Sequence, residues 1–269
     1  MTEIDNSAVP DFVGMVRLDG KGFVVLGAGQ GIGRQVCHAL AQAGAIPLCV
    51  DVDANVAGQI AAETGGIPCV ANITKRADMQ KVFELAQSKL AQPEGIVDIV
   101  GRAEIGPISA LTDKAYEEQH DVIFRHAWLA IQIGAPWLAA AGGGSIVLVG
   151  SISGVIPSPD QAFYASQKAA VHHLARAAAV EYGPSGVRVN TVAPGTTRTA
   201  RLMELVGNSW PAVEAIIPLR RAADPADIAR VVLFLCTPLA RHVTAQTIVV
   251  DGGSSSTVMR PPFQVPKKK

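Results

Sequence analysis

The stretch FYASQKAA (163–170) places a tyrosine and a lysine four residues apart, Tyr164 and Lys168. On a helix such a pair shares one face. A free phenol titrates near ~10, too high for a good base at neutral pH, and an ammonium one turn away stabilises the phenolate. The pair is therefore either a surface couple or an acid–base device in which the lysine tunes the tyrosine. Thirteen positions before the tyrosine, SIVLVGSISG (145–154) carries Ser151 at the end of an apolar run. A hydroxyl there could hold a substrate oxygen and stabilise charge that develops on it. With the serine in register, the acid–base reading is the one adopted.

A second constellation lies near the start of the chain. The apolar run GFVVLG (22–27) passes into GAGQGIG (27–33) and then into an apolar helical pattern. Gly27, Gly31 and Gly33 let the backbone turn tightly and bring its amides close to a diphosphate, with Gln30 and Ile32 between them. The next run, LCVDVD (48–53), ends on Asp51. A carboxylate at that place can accept both adenosine ribose hydroxyls and repels a 2′-phosphate, and the neutral Gln30 offers such a phosphate no cation. NAD is favoured over NADP on this ground. Asp53 reads as the start of the following helix.

These residues need elements to position them. Apolar runs at 22–27, 46–50, 67–70, 96–100, 145–150, 187–192 and 246–252 look like buried strands. Helical stretches lie between them, at 32–43, 77–90, 113–139, 161–182 and 225–235. The alternation predicts an α/β fold: a single doubly wound Rossmann-type domain with a seven-stranded parallel sheet and helices on both faces. The expected organisation is an N-terminal extension at 1–19, the domain at 20–254 and a tail at 255–269. Within the domain, 195–221 is a long excursion before the last helix, expected to act as a lid.

Composition narrows the partners. Lys+Arg and Asp+Glu number 23 each, and the one basic run is the terminal Lys267–Lys269, so neither nucleic acid nor an anionic membrane is indicated. Cys37, Cys49, Cys69 and Cys236 lack metal-ligand spacing and sit in apolar stretches; no metal is expected, and a reducing, cytoplasmic setting is. MTEIDNSAVPDF at the N-terminus is unlike a signal peptide, and no run is long enough to span a membrane.

The GxxxGxG spacing, Ser151 with Tyr-x-x-x-Lys, VRVNTVAPGTTRT (187–199) and IVVDGG (248–253) together resemble the short-chain dehydrogenase/reductase family over roughly 20–254. The resemblance implies hydride transfer between a nicotinamide and a secondary alcohol or ketone, with Ser151, Tyr164 and Lys168 catalytic. It implies NAD held by Gly27, Gln30, Gly31, Ile32, Gly33, Asp51, Asn72, Ile73, Ala103, Pro194, Gly195, Thr197 and Thr199, and by Tyr164 and Lys168, the lysine bonding the nicotinamide ribose. A homotetramer or homodimer built on helices 113–139 and 161–182 also follows, with VMRPPFQVPKKK (258–269) as a further contributor.

Three departures stand out. Leu26 occupies the family's threonine position, GRAE (101–104) replaces Asn-Asn-Ala-Gly, and Ile123 falls where many members have a fourth catalytic asparagine. In the family that asparagine is thought to hold a water linking the lysine to solvent; here the relay is either rerouted or absent. His126 is the polar group nearest to hand, or else a partly buried helix histidine. Glu104 either meets the nicotinamide riboside or pairs with Arg102, and Asn72 replaces an adenine-contacting aspartate. The excursion's Leu202, Met203, Leu205, Val206, Trp210, Val213, Ile216 and Ile217, with Val155, Ile156 and Phe163, suggest an apolar lid and a bulky, mostly uncharged substrate. Arg198, Arg201, Arg220 and Arg221 leave room for a carboxylate or CoA-linked one. Two alternatives remain: an NADPH-dependent carbonyl or 3-oxoacyl reductase, and a nucleotide-binding protein with little turnover.

Overall fold

Short runs that are mostly apolar have little polar face to leave in water, so those at the centre of the sheet form strands covered on both sides. The computed structural model describes residues 8–256. Its strands are β1 (Gly22–Leu26), β2 (Ile46–Asp51), β3 (Ile67–Val70), β4 (Pro93–Asp98), β5 (Gly144–Val149), β6 (Val187–Pro194) and β7 (Thr247–Val250). They make one sheet in the order β3-β2-β1-β4-β5-β6-β7, parallel throughout.

Side chains alternate across that sheet. Val24, Leu26, Ile96, Ile146 and Leu148 face one core, which is closed by α3 (Arg76–Lys89), α5 (His126–Ala140) and α6 (Ala162–Tyr182). Phe23, Val25, Val97, Val147 and Val192 face the other, beneath α1 (Ile32–Gln42) and α9 (Pro225–Cys236). The strand order reverses between β1 and β4, and at such a switch point the carboxyl ends of the strands open a crevice. The four cysteines are buried free thiols.

Asp53 caps α2 (Ala54–Thr64), accepting the amides of Asn55 and Val56 at 2.8 and 3.3 Å. The continuous helix expected at 113–139 is instead α4 (Asp113–His120), a π-helical turn at Asp121–Arg125, then α5. A π turn carries one extra residue per turn, and such bulges frequently sit at functional sites. Strand four starts earlier than predicted and ends at Asp98, which leaves Ile99 and Val100 in the loop above it. The excursion after β6 folds into α7 (Ala200–Val206) and α8 (Trp210–Ala215) around a small core of Trp210, Ile217 and Ala222. Residues 1–7 of the expected extension and nearly all of the expected tail, including its basic end, lie outside the described residues.

Candidate active site

The glycine loop rises from β1 and turns into α1 with almost no space inside it. A Cβ at Gly33 would lie 1.9 Å from the Gly27 carbonyl oxygen, so the helix can begin here only without a side chain. Gly27 and Gly31 take φ values of 82° and 65°, in the left-handed region that L residues avoid. Asp51 closes the far side. Its Oδ2 accepts the Gly29 amide at 3.1 Å and its Oδ1 the Asp53 amide at 3.1 Å, fixing the carboxylate while leaving acceptor capacity on both oxygens. Gly29 escaped the sequence reading, which looked only at the motif's three spaced glycines.

The catalytic candidates meet at the carboxyl end of β5. Ser151 follows that strand, and its Oγ accepts the Ser153 amide at 3.1 Å. Tyr164 and Lys168 stand one turn apart on α6, with the lysine Nζ 6.0 Å from the centre of the tyrosine ring. Lys168 is 3% exposed and donates to the Val149 carbonyl at 2.8 Å. Burial draws its ammonium down to about 8, and the charge of Asp98 pulls it part of the way back. Burial also pushes the Tyr164 phenol above its usual value, while a hydrogen bond with Ser151 and the charge of Arg201 pull it down. Lys168, the cation the sequence pointed to, stands one turn from the phenol on α6, and Arg201 adds a second charge from the excursion.

A cleft of about 450 Å³ joins these groups to the loops around them. Ser151, Tyr164, Lys168, Ile32, Ala103, Pro194, Gly195, Thr197 and Thr199 all line it. The chain matches a family described as Enoyl-(Acyl carrier protein) reductase over residues 27–255. It is 34% identical over 250 residues to the 7alpha-hydroxysteroid dehydrogenase of Escherichia coli (strain K12), covering 88% of this chain and 95% of that one. The chain belongs to the short-chain dehydrogenase/reductase family. A solved 7alpha-hydroxysteroid dehydrogenase, complexed with NADH and 7-oxo glycochenodeoxycholic acid, superposes with a TM-score of 0.86 at 31% identity, covering 90% of this chain and 96% of that one. The 3-oxoacyl-[acyl-carrier-protein] reductase FabG of Thermotoga maritima is 29% identical, over 88% of this chain and 99% of the relative.

Other short-chain dehydrogenase/reductase positions fall at the edges of the cleft or beyond it. Gln30 is exposed at the tip of the loop. Asn72 follows β3, where its Oδ1 accepts the backbone amide and hydroxyl of Thr74 at 3.2 and 2.8 Å, and Ile73 beside it is buried. Thr199 caps α7, and Thr197 is buried with its hydroxyl on the Gly195 carbonyl at 3.0 Å. Arg201 donates to the Ala103 carbonyl at 2.9 Å, tying the excursion to the loop after β4. Glu104 does not pair with Arg102: Arg102 lines the cleft, and Glu104 lines a neighbouring hollow with Phe163 and Gln119. Phe163 therefore leaves the expected lid, packing 4.4 Å from Tyr116. Of the expected apolar wall, Leu202, Leu205, Val206 and Val213 reach the cleft, whereas Trp210 and Ile217 are in the excursion's own core. Leu26 is fully buried in the sheet, as an apolar substitute for threonine should be.

His172, one turn beyond Lys168, also escaped the sequence reading. Its Nε2 accepts the Ser151 amide at 3.4 Å, which requires a neutral ring. Burial, then the charges of Lys168 and Arg176, hold it down at about 4. Because this folded value lies below the ordinary ~6.5, stability linked to His172 is complete above that pH and is lost as pH falls toward about 4. The wild-type urea midpoint is expected to drop across this interval, and a His172→Leu variant to show a shallower drop. Parallel slopes in the two proteins would contradict the assignment.

Proposed function

We propose that the protein is an NAD-dependent oxidoreductase acting on a bulky secondary alcohol or its ketone. The observation that carries this reading is the convergence of Ser151, Tyr164 and Lys168 on one cleft, below a glycine loop closed by Asp51. The residues fit a dinucleotide: the loop excludes any side chain at Gly33, and the carboxylate suits ribose hydroxyls and opposes a 2′-phosphate. Arg34, the nearest cation on α1, is engaged by Glu63 at 2.8 Å, which argues further against a phosphate there. A bound nicotinamide supplies or takes the hydride. The remaining chemistry belongs to the chain: Ser151 holds the substrate oxygen, Tyr164 gives or takes its proton, and Lys168 keeps positive charge nearby.

For the substrate, Leu202, Leu205, Val206 and Val213 offer an apolar wall, with Arg201 and Arg102 at its polar side. The excursion at 195–221 acts as the lid. The solved relative holds 7-oxo glycochenodeoxycholic acid, an oxo compound that is also an acid, and an apolar wall beside Arg201 and Arg102 suits a molecule of that kind. An NADPH-dependent reduction like that of 3-oxoacyl relatives is disfavoured by Asp51. Exposed Tyr116, Trp128 and Val180 on α4, α5 and α6 support self-association through these helices.

Thermal stability tests the cofactor first. A ligand that binds only the folded state, at a hundred times its dissociation constant, adds about 2.7 kcal/mol. NAD is expected to raise the melting temperature and NADP to leave it nearly unchanged. A rise with NADP alone overturns the assignment, and no rise with either overturns the enzyme reading.

A further inference from the structure

Asp98 ends β4 directly after the apolar pair Ile96 and Val97. It is 3% exposed. Sheet alternation places it with Ile96 on the α5/α6 face, and its register partners on either side are Leu26 and Leu148. Neither can satisfy a charge. The His126 Nε2 reaches Asp98 Oδ1 at 3.1 Å from α5, and the Val100 amide donates to the same oxygen at 3.2 Å. Asp98 Oδ2 is enclosed and has no hydrogen-bond partner among the described residues. An ionised carboxylate so placed is costly unless a cation stands close by.

Besides His126, the cation whose charge Asp98 influences is Lys168, one strand away. Lys168 donates to the carbonyl of Val149, the residue after Leu148, so its Nζ sits beside the end of β5 while Asp98 ends β4. Neighbouring strands lie about 4.8 Å apart. The loop after β4 closes over the amine, since a Cβ at Gly101 would come within 2.9 Å of Nζ. Ile123, buried in the same core, contributes no polar atom. The ionisable groups facing Lys168 are thus Asp98 from β4, with His126 behind it on α5, and Tyr164 and His172 from its own helix; Arg201 acts on the phenol from the excursion.

We propose that Asp98, steadied by His126, is a positioning residue that holds Lys168 in its ammonium form beside Tyr164. The proposal rests on the reading above in giving Lys168 a part in catalysis. A buried lysine with no counter-charge tends to go neutral. Asp98 opposes that tendency, and the unused Oδ2 gives it an acceptor directed at neither His126 nor Val100.

The test needs no substrate. Lysine Cε carbons labelled with ¹³C are titrated in the full-length, nucleotide-free protein, with the Lys168 signal assigned by its absence in Lys168→Met. The wild-type midpoint is expected near 8. In Asp98→Asn it should fall by about one pH unit, and by no less than about half a unit. A smaller change overturns the proposal. His126→Leu should move it in the same direction, because the contact that steadies the Asp98 carboxylate is lost, and this variant decides by the same threshold if Asp98→Asn does not fold. The alkaline limb of kcat/KM for alcohol oxidation should move down with the midpoint. Absence of turnover in the wild type would sink the oxidoreductase reading and leave the titration standing as the measure of Asp98.

Discussion

Replacing Tyr164 by phenylalanine is expected to lower kcat by about 10²- to 10⁴-fold in both directions, the range of a lost general acid–base. The substitution is a clean one. The ring and its packing against the α5/α6 core remain, and what goes is the hydroxyl that bonds Ser151. The NAD-induced rise in melting temperature should persist, because the glycine loop and Asp51 are untouched. Direction and pH follow from the phenol's state: burial keeps it protonated at neutral pH, in the form that donates to a ketone. Reduction by the wild type should therefore hold up through neutral pH, and oxidation, which needs the phenolate, should climb with pH until Lys168 begins to give up its proton, near 8. Steady-state rates for an alcohol–ketone pair across pH 6–10 are the measurement, a range set by the ~10 of a free phenol. Equal turnover by Tyr164→Phe and the wild type would remove the tyrosine from the mechanism.

The sequence was most informative where a feature is local. A wholly apolar run such as GFVVLG could only be a buried strand, and Phe23, Val24, Val25 and Leu26 are all fully buried. Tyr164 and Lys168 share a face by helical spacing alone. Capping at Asp53 was legible for the same reason, since a helix N-cap depends on its next three residues. What stayed hidden depends on register between distant segments. The acid in IVDIV was visible, but its meaning required β4 to lie beside β5, with α5 and α6 above. His172 reads as one more polar residue on a long helix until α6 packs under the Ser151 loop. The π turn at Asp121–Arg125 has no counterpart in the hydrophobic spacing, which is why one helix was expected where two occur.

Gly33→Ala is expected to abolish the NAD-induced rise in melting temperature and to destabilise the protein by about 1–3 kcal/mol, as overpacking typically does. The added methyl would sit 1.9 Å from the Gly27 carbonyl oxygen and 2.9 Å from the Ala28 carbonyl carbon. Both are backbone atoms, so no side-chain rotation relieves the clash. The loop must move away from α1, and with it the amides that would meet a diphosphate. Gly58→Ala is the control. Gly58 lies in α2, a Cβ there meets nothing within 4 Å, and losing a helical glycine should stabilise by about 0.5–1 kcal/mol. Urea unfolding and nucleotide-dependent melting of the two variants separate a general effect of adding a methyl from a specific closure of the loop. If Gly33→Ala kept the wild-type response to NAD, the glycine loop would not be where the dinucleotide binds.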